Sequence, residues 1–285
     1  MKPTPFISRL LPFLMILFIS MQLYIAQNPY YTTSNLPVLL SIGFILMVTL
    51  FEIIFPYRND WHFWNDRQSF NDIILYLVNT IVIIKCVPSL TILKNKLHLA
   101  NVTIWPEELP LLIQLLLAFI IFDFFYYWFH RLSHTISYLW IFHAVHHSAE
   151  KIHFLKGNRS NLFFDALPYF VLTVFPLAFL NPPNQIFIMM GIILRDFSFM
   201  IHSNISLQFP SWWEKLFVSP KLHQMHHDKF IDNGMGYNFS TLTLIWDKIF
   251  GTFKPFDHSN TISTGIESDP VSKNFFWQIF FPFKK

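Results

Sequence analysis

Long apolar runs constrain this sequence more than any other feature, because each approaches the roughly 20 residues that a helix needs to span a bilayer. Six such runs occur, at residues 10–26, 36–55, 72–93, 109–129, 162–180 and 185–201. Only 13% of the residues are charged, against about a quarter in soluble domains. We therefore expect an all-α, polytopic membrane bundle. It should have about four transmembrane helices plus a hairpin of two further apolar helices, joined by "NPPN" at 181–184.

The distribution of basic residues predicts the orientation of this bundle. If every run crosses the membrane, nearly all lysines and arginines fall on the side of the N-terminus, and the opposite loops carry only two lysines. The positive-inside rule then makes that side cytoplasmic. Every histidine-rich stretch lies on it, so we expect an integral membrane protein with a histidine-rich site facing the cytoplasm. The run 10–26 is long for a signal sequence and is interpreted as a retained anchor.

The chain divides into three regions by composition: an N-terminal transmembrane region (1–108), a histidine-rich region expected to carry the chemistry (109–258) and a C-terminal tail (259–285). The single cysteine lies inside an apolar run, which excludes a disulfide framework and a thiolate metal site. The net charge of +3 is modest, and no nucleic-acid partner is expected.

Three clusters hold eight of the thirteen histidines. The clusters are "HRLSH" with His130 and His134, "HAVHH" with His143, His146 and His147, and "HQMHH" with His223, His226 and His227. The spacing H-x-x-H-H occurs twice, and on a helix it places all three imidazoles on one face. Recurrence makes a packing accident a poor explanation.

Metal binding explains these clusters better than packing does. Neutral imidazoles gathered at a membrane edge leave ring nitrogens without partners, and protonation would place like charges side by side. Eight ligands are enough for two ions. Imidazole suits iron, zinc and copper alike, so the ligand type does not choose the metal. A structural zinc site remains an alternative, but four ligands normally close it.

The histidine clusters and their flanking residues resemble the sterol desaturase and fatty acid hydroxylase superfamily of integral-membrane di-iron oxygenases. The resemblance covers about residues 118–254 and rests on five stretches: "FDFFYYWFHRLSH", "LWIFHAVHHSAE", "HSN" at 202–204, "SPKLHQMHH" and "NFSTLTLIWDKIFGTF". It implies a helical membrane protein with a cytoplasmic-side metal centre. The eight clustered histidines match the family's metal ligands, and His202 matches a further histidine that many members carry before the last cluster.

Several other residues are candidates for supporting roles. His153 stands where many relatives carry Asn, and its role as a ligand, substrate contact or neutral replacement is left open. Asp123 lies two helical turns before His130, so we expect it to orient a ligand through a hydrogen bond, to relay protons or to pair with a basic side chain. Asn238 and Asp247 match family positions and are candidates either for contacts to the histidines or for a turn.

The resemblance implies a chemistry and its co-reactants. Two iron ions and O2 would hydroxylate or desaturate a lipid such as a sterol, a fatty acyl chain or an ether lipid, because no side chain oxidises an unactivated C–H bond. Electrons would come from a separate donor protein, which a basic cytoplasmic face would suit. Two alternatives stay open: a zinc-dependent membrane lipid hydrolase, and a non-catalytic membrane protein stabilised by metal.

Overall fold

The protein folds into a bundle of helices, seen in a computed structural model that describes residues 4–28, 30–31, 34–96, 104–230, 236–256 and 262–280. Seven helices build the bundle: α1 (Pro5–Ile25), α2 (Leu36–Ile54), α3 (Ser69–Lys96), α4 (Leu111–Thr135), α5 (Ser137–His147), α6 (Leu167–Phe179) and α7 (Asn184–His202). Four short ones follow: α8 (Trp213–Leu216), α9 (Pro220–His226), α10 (Ile245–Ile249) and α11 (Phe275–Phe280). Within the described ranges, β-structure is limited to isolated bridges. The all-α prediction is confirmed.

Among the residues that the structure describes fully, four helices are long and apolar enough to cross a membrane, namely α1, α2, α4 and α7. Their number agrees with the prediction, and α7, expected in the hairpin, is one of them. The apolar helix α6 is shorter, at 167–179. Only the part of α3 at 69–82 is described fully, so the expected span over 72–93 stays a prediction. These four helices make the chain an integral membrane protein.

The ends of the helices follow from local sequence. Thr4 accepts a hydrogen bond from the backbone N–H of Ile7, and Pro5 occupies the first turn of α1, where a missing N–H has no cost. "NPPN" separates α6 from α7, with Asn181 at φ 61°, a conformation that asparagine tolerates better than most residues. Both α6 and α7 pack against α4 more than against each other.

Hydrogen bonds between loops and helix ends place the starts of α1 and α3 and the ends of α2, α4 and α7 at one end of the bundle. At this end the backbone N–H of Gln208, beyond α7, donates to the carbonyl of Ser8 in α1 at 2.9 Å. Glu52, near the end of α2, accepts from the backbone N–H groups of Phe154 (2.9 Å) and Asn204 (2.7 Å). All three histidine clusters lie at this end.

Buried charged residues correct two expectations. From its position near the end of the apolar run 36–55, Glu52 is expected at the bilayer surface, but it is only 1% exposed and joins two loops. Lys156 and Arg159 were counted in the basic cytoplasmic face, yet both are fully buried and pair with Asp72. The basic face available to a partner is therefore smaller than the sequence indicates.

Candidate metal centre

Four helices bring the clustered histidines together. His130 and His134 lie in the last two turns of α4, and α5 begins only two residues after α4 ends. The break falls at Ile136, whose extended backbone turns α5 away from the axis of α4. α7 contributes His202 at its last position, and α9 contributes the third cluster.

The nine histidines form two groups, each with ligand atoms within 4.8 Å of one another. The five-histidine group consists of His130, His134, His143, His147 and His226. The four-histidine group consists of His146, His202, His223 and His227. Each of the two H-x-x-H-H clusters is therefore divided between the groups, whereas His130 and His134 belong to the same group. All nine side chains are buried.

Hydrogen bonds at the outer ring nitrogens fix the tautomers of several histidines. The Nδ1 atoms of His130, His226 and His202 lie 2.6, 2.8 and 2.8 Å from the backbone carbonyls of Phe239, Tyr237 and Ser198. Because a carbonyl only accepts, each of these Nδ1 atoms carries the hydrogen. Each Nε2 is then left with a lone pair that points into its group.

The inward lone pairs of His130 and His226 face one another at a distance that suits a shared cation. Their Nε2 atoms are 3.0 Å apart, although neither has a hydrogen to donate to the other. Two nitrogens at about 2.1 Å from one metal ion are separated by about 3 to 3.5 Å. In the four-histidine group, the Nε2 atoms of His202 and His223 are 2.7 Å apart, which also suits a hydrogen bond, because no carbonyl fixes the tautomer of His223. The His130–His226 pair is therefore the one whose geometry favours an ion.

Buried ring nitrogens without a protein partner point to the same conclusion. In the described part of the chain, Nε2 of His134, His143 and His147 has no hydrogen-bond partner. An unpaired buried polar atom costs about 1–3 kcal/mol, and such atoms are rare in native structures. The donor set thus fits metal ions better than it fits a closed hydrogen-bond network.

Burial keeps the imidazoles neutral, as metal ligands must be. Burial lowers the pKa of His226 to about 3, against the raising effect of its hydrogen bond to the Tyr237 carbonyl. Burial likewise lowers the pKa of His147, His223 and His227 well below the ordinary value, and the neighbouring imidazoles lower it further. A neutral imidazole offers the lone pair that a metal ion binds.

A loop held by three polar side chains presents the two carbonyls that orient His130 and His226. Asp247 accepts from the backbone N–H groups of Phe239 and Ser240, each at 2.9 Å. Asn238, at φ 57°, exchanges hydrogen bonds with the backbone of Lys254. Asn238 and Asp247 therefore hold the turn, as one of the two expectations had it. They act on the histidines only through the loop carbonyls that accept from the ring nitrogens.

Asp123 holds the same loop and contacts neither a histidine nor a basic side chain in the structure as described. Its Oδ2 accepts from the hydroxyl of Thr243 at 2.5 Å and from the Thr243 backbone N–H at 3.3 Å. Any influence of Asp123 on His130 therefore passes through the loop. The expected pairing with a basic residue is not what the carboxylate does.

His153 lies outside both groups, in a separate buried cluster. Its Nε2 is 3.2 Å from a carboxylate oxygen of Asp66 and 3.4 Å from the hydroxyl of Ser69. Asp66, Asp72 and His153 are close enough to hold an ion, but the ammonium of Lys156 already lies between the two carboxylates. The cluster contains its own cation, and His153 serves as a hydrogen-bond partner of Asp66.

Sequence reasoning missed Asp165 as a functional residue. Its carboxylate lies 3.2 Å from Nδ1 of His143, and both side chains are buried. The arrangement leaves Nε2 of His143 facing the five-histidine group. A carboxylate behind a ligating histidine fixes the ring and strengthens it as a ligand. In the sequence Asp165 is a single charge near the start of the apolar run 162–180, and that position was the available signal.

Comparison with known proteins supports the resemblance found in the sequence. Residues 115–252 match the family model described as fatty acid hydroxylase. The region that carries the histidine clusters is therefore similar to the fatty acid hydroxylase family. The matched range includes both histidine groups completely.

Three relatives illustrate the range of this family. Ornithine lipid hydroxylase OlsE of Rhizobium tropici is 28% identical over 85% of this chain and 73% of its own length. Alkylglycerol monooxygenase of Danio rerio is 31% identical, over 58% of this chain but only 35% of its own length. Cholesterol 25-hydroxylase of Rattus norvegicus is 28% identical, over 57% of this chain and 54% of its own length. No solved structure matches the chain. These hydroxylases and monooxygenases confirm the prediction of an oxidoreductase.

Proposed function

We propose that the protein is a membrane-bound di-iron oxygenase that uses O2 and external electrons to hydroxylate a lipid. The facing lone pairs of His130 and His226, 3.0 Å apart inside a nine-histidine centre, carry this proposal. Two groups of four and five ligands fit two ions better than one. The three relatives described above act on lipids by oxidation, which favours an oxygenase over a zinc hydrolase.

The two histidine groups would hold one iron ion each. Iron bound there would supply the O2-dependent oxidation of an unactivated C–H bond, which no side chain achieves. His146 and His147 are adjacent in sequence but belong to different groups, so α5 fixes the position of one group relative to the other. The backbone carbonyls of Phe239, Tyr237 and Ser198 hold the imidazoles in the orientation that faces the ions.

The surrounding side chains exclude water and keep the centre next to the apolar bundle. Tyr126 packs edge-on against His130 with ring centroids 5.6 Å apart, and Tyr169 packs against Tyr126 at 4.9 Å. Phe239 lines the other side of His130 and His134. An aromatic wall of this kind admits an acyl chain more readily than a polar substrate.

The substrate class follows from the relatives. OlsE matches along most of this chain, so we propose a membrane lipid with a polar headgroup, ornithine lipid being the first to test and alkylglycerols the second. The site is expected on the cytoplasmic side, where a separate protein would deliver electrons. Of the expected basic face, residues such as Lys215 and Lys248 remain partly or fully exposed for that contact.

Metal analysis and product analysis together test the proposal. Purified protein should contain about two irons per chain, with iron reconstitution if zinc has replaced iron during overexpression. Incubation with reductant and ¹⁸O2 should place ¹⁸O in a hydroxyl group of the lipid product. Label arriving only from H2¹⁸O would support the hydrolase instead. A folded protein that binds no metal would refute the central claim.

A further inference from the structure

A small cavity with both polar and apolar walls lies beside helix α9, at the end of the bundle where α2 and α7 end. It has a volume of about 150 Å³ and lies between helix α9 and the segment that follows α7. The backbone around it is fixed, because Pro56 forms a bridge with Ile205 and the Tyr57 N–H donates to the Asn204 carbonyl at 3.0 Å. Helices α2 and α7 end at residues 54 and 202, so the cavity lies at the level expected for lipid headgroups.

A buried polar side chain without a partner lines this cavity. Gln224 is 1% exposed, and its Oε1 has no hydrogen-bond partner among the residues that the structure describes. A buried amide oxygen left unpaired costs about 1–3 kcal/mol, so the site favours a ligand that offers an N–H or O–H donor. Lys221, one helical turn earlier, also lines the cavity and supplies a positive charge. Both residues lie on a different face of α9 from the metal-facing histidines.

An apolar groove lies next to this cavity along the same chain segment. Residues 205–208 line the cavity, and the next residues of the same segment, Phe209 to Trp213, line an apolar groove of about 130 Å³. The other wall of the groove is α1, through Pro12, Phe13 and Ile16, two to three turns inside that spanning helix. The cavity and the groove therefore lie in the same order as the parts of a lipid: the cavity at the level of the headgroup and the groove at the level of the acyl chain.

We infer that this cavity binds the headgroup of the lipid substrate, and that the headgroup carries an anionic group beside an N–H or O–H donor. The amide of Gln224 takes the donor, Lys221 takes the anion, and the groove along α1 takes the start of an acyl chain. The assignment of this lipid as substrate rests on the proposed function, whereas the headgroup preference does not.

Lipid binding without turnover tests the inference. Purified metal-loaded protein is exchanged into nanodiscs of phosphatidylcholine. These nanodiscs also contain small, equal amounts of two test lipids, phosphatidylethanolamine and a fluorescent or deuterated phosphatidylcholine probe, and the test lipids retained by the protein are counted by native mass spectrometry. Both test lipids carry a phosphate, but only phosphatidylethanolamine has N–H donors. We expect roughly a tenfold preference for it, the equivalent of one hydrogen bond to a buried group.

Three variants separate the contributions. Gln224→Leu should abolish the preference between the two lipids, and Lys221→Met should weaken retention of both alike. Lys229→Met, whose ammonium lies over the Phe230 ring outside the cavity, is the matched control and should change neither. Metal content is measured for each variant, because α9 also carries three histidines. Lys221→Met, at the partly exposed rim, keeps the test decisive if Gln224→Leu does not fold.

Each result decides the question. Equal retention of the two lipids by the wild type, or a preference that survives Gln224→Leu with metal content intact, would overturn the inference. If the wild type retained no more of either lipid than Lys221→Met does, the cavity would hold water only, and the inference would be overturned as well. Failure to form any oxidised product would refute the proposed function and leave the headgroup site standing, because retention is measured without O2 or reductant.

Discussion

Two buried polar clusters lie on either side of helix α5, and they solve the problem of burial in opposite ways. The histidine centre consists of nine buried rings with several ring nitrogens unpaired. The other cluster, which we call the charged network, consists of Asp66, Asp72, Lys156 and Arg159 with His153. Its cations and carboxylates compensate one another. The comparison teaches that burial alone does not indicate a metal site, whereas unpaired ring nitrogens on several neighbouring histidines do.

Removing ligands gives the largest expected effect and tests the histidine half of the comparison. The double variant His146→Ala/His147→Ala removes one ligand from each group, so bound metal should fall from about two ions per chain to nearly none. His134→Ala and His202→Ala each touch one group, and each should lose mainly one ion. Metal analysis of detergent-purified protein measures all three.

A histidine outside both groups provides the control. His62 stacks on Trp64 with ring centroids 4.3 Å apart, and His62→Ala should retain the full metal content. If His134→Ala and His202→Ala both lost all metal, the two groups would be a single cooperative site. If neither lost any, the assignment of these side chains as ligands would be wrong.

Breaking the charged network should destabilise the protein whether or not metal is bound. Arg159 donates to Asp72 at 2.6 Å, to the Val145 carbonyl at 2.9 Å and to the Ser148 hydroxyl at 3.0 Å. Arg159→Met leaves Asp72 and the end of α5 without these donors. Removing one partner of a buried pair costs about 3–5 kcal/mol. Thermal unfolding of chelated and metal-loaded protein should show the loss equally in both.

Arg58→Met is the matched control for that variant, because Arg58 pairs with the exposed carboxylate of Asp60 at 3.3 Å. An exposed pair contributes about 0–1 kcal/mol, so its unfolding temperature should barely change. A destabilisation by Arg159→Met that appeared only in metal-loaded protein would contradict the comparison, since it would make the network part of the metal centre.

The sequence predicted the ligands far better than their supports, and the reason is distance along the chain. Histidine spacing is local, so one face of α5 or α9 could be recognised directly. Asp165 is 22 residues from His143, and Asp72 is 87 residues from Arg159. Such pairs depend on helix packing, which one sequence does not encode visibly. Glu52 was misjudged for the same reason, because its two backbone donors come from distant loops.

A milder change at the edge of the histidine centre sharpens the contrast. Asp165→Asn keeps the size of the side chain but removes the charge behind His143, so the ring is held less firmly and is a weaker ligand. Loss of such a partner typically lowers metal affinity about 10- to 100-fold. Competition with a chelator should show weakened binding of one ion, with the second ion unchanged. Asp269→Asn, which removes the charge paired with Lys273 and keeps an oxygen that can accept from the Val271 backbone N–H, is the control. Equal weakening of both ions would count against the division into two groups.

Acid titration gives the smallest expected effect and separates the two clusters by pH. Burial alone would raise the pKa of Asp66, but its hydrogen bond with His153 and the ammonium of Lys156 lower the pKa well below the usual range. A carboxyl group with a lowered folded pKa contributes stability above its unfolded pKa of about 3.9 and loses it as the pH falls toward the folded value. In chelated protein, the difference in unfolding temperature between wild type and Asp66→Asn should therefore stay constant from about pH 8 to pH 5 and shrink below about pH 4.

Histidines with lowered pKa values affect stability in a higher pH range, because the unfolded chain takes up protons at about pH 6.5 while the buried rings stay neutral. A difference that already disappeared near pH 6 would show that His153, rather than the two carboxylates and Lys156, controls the charged network.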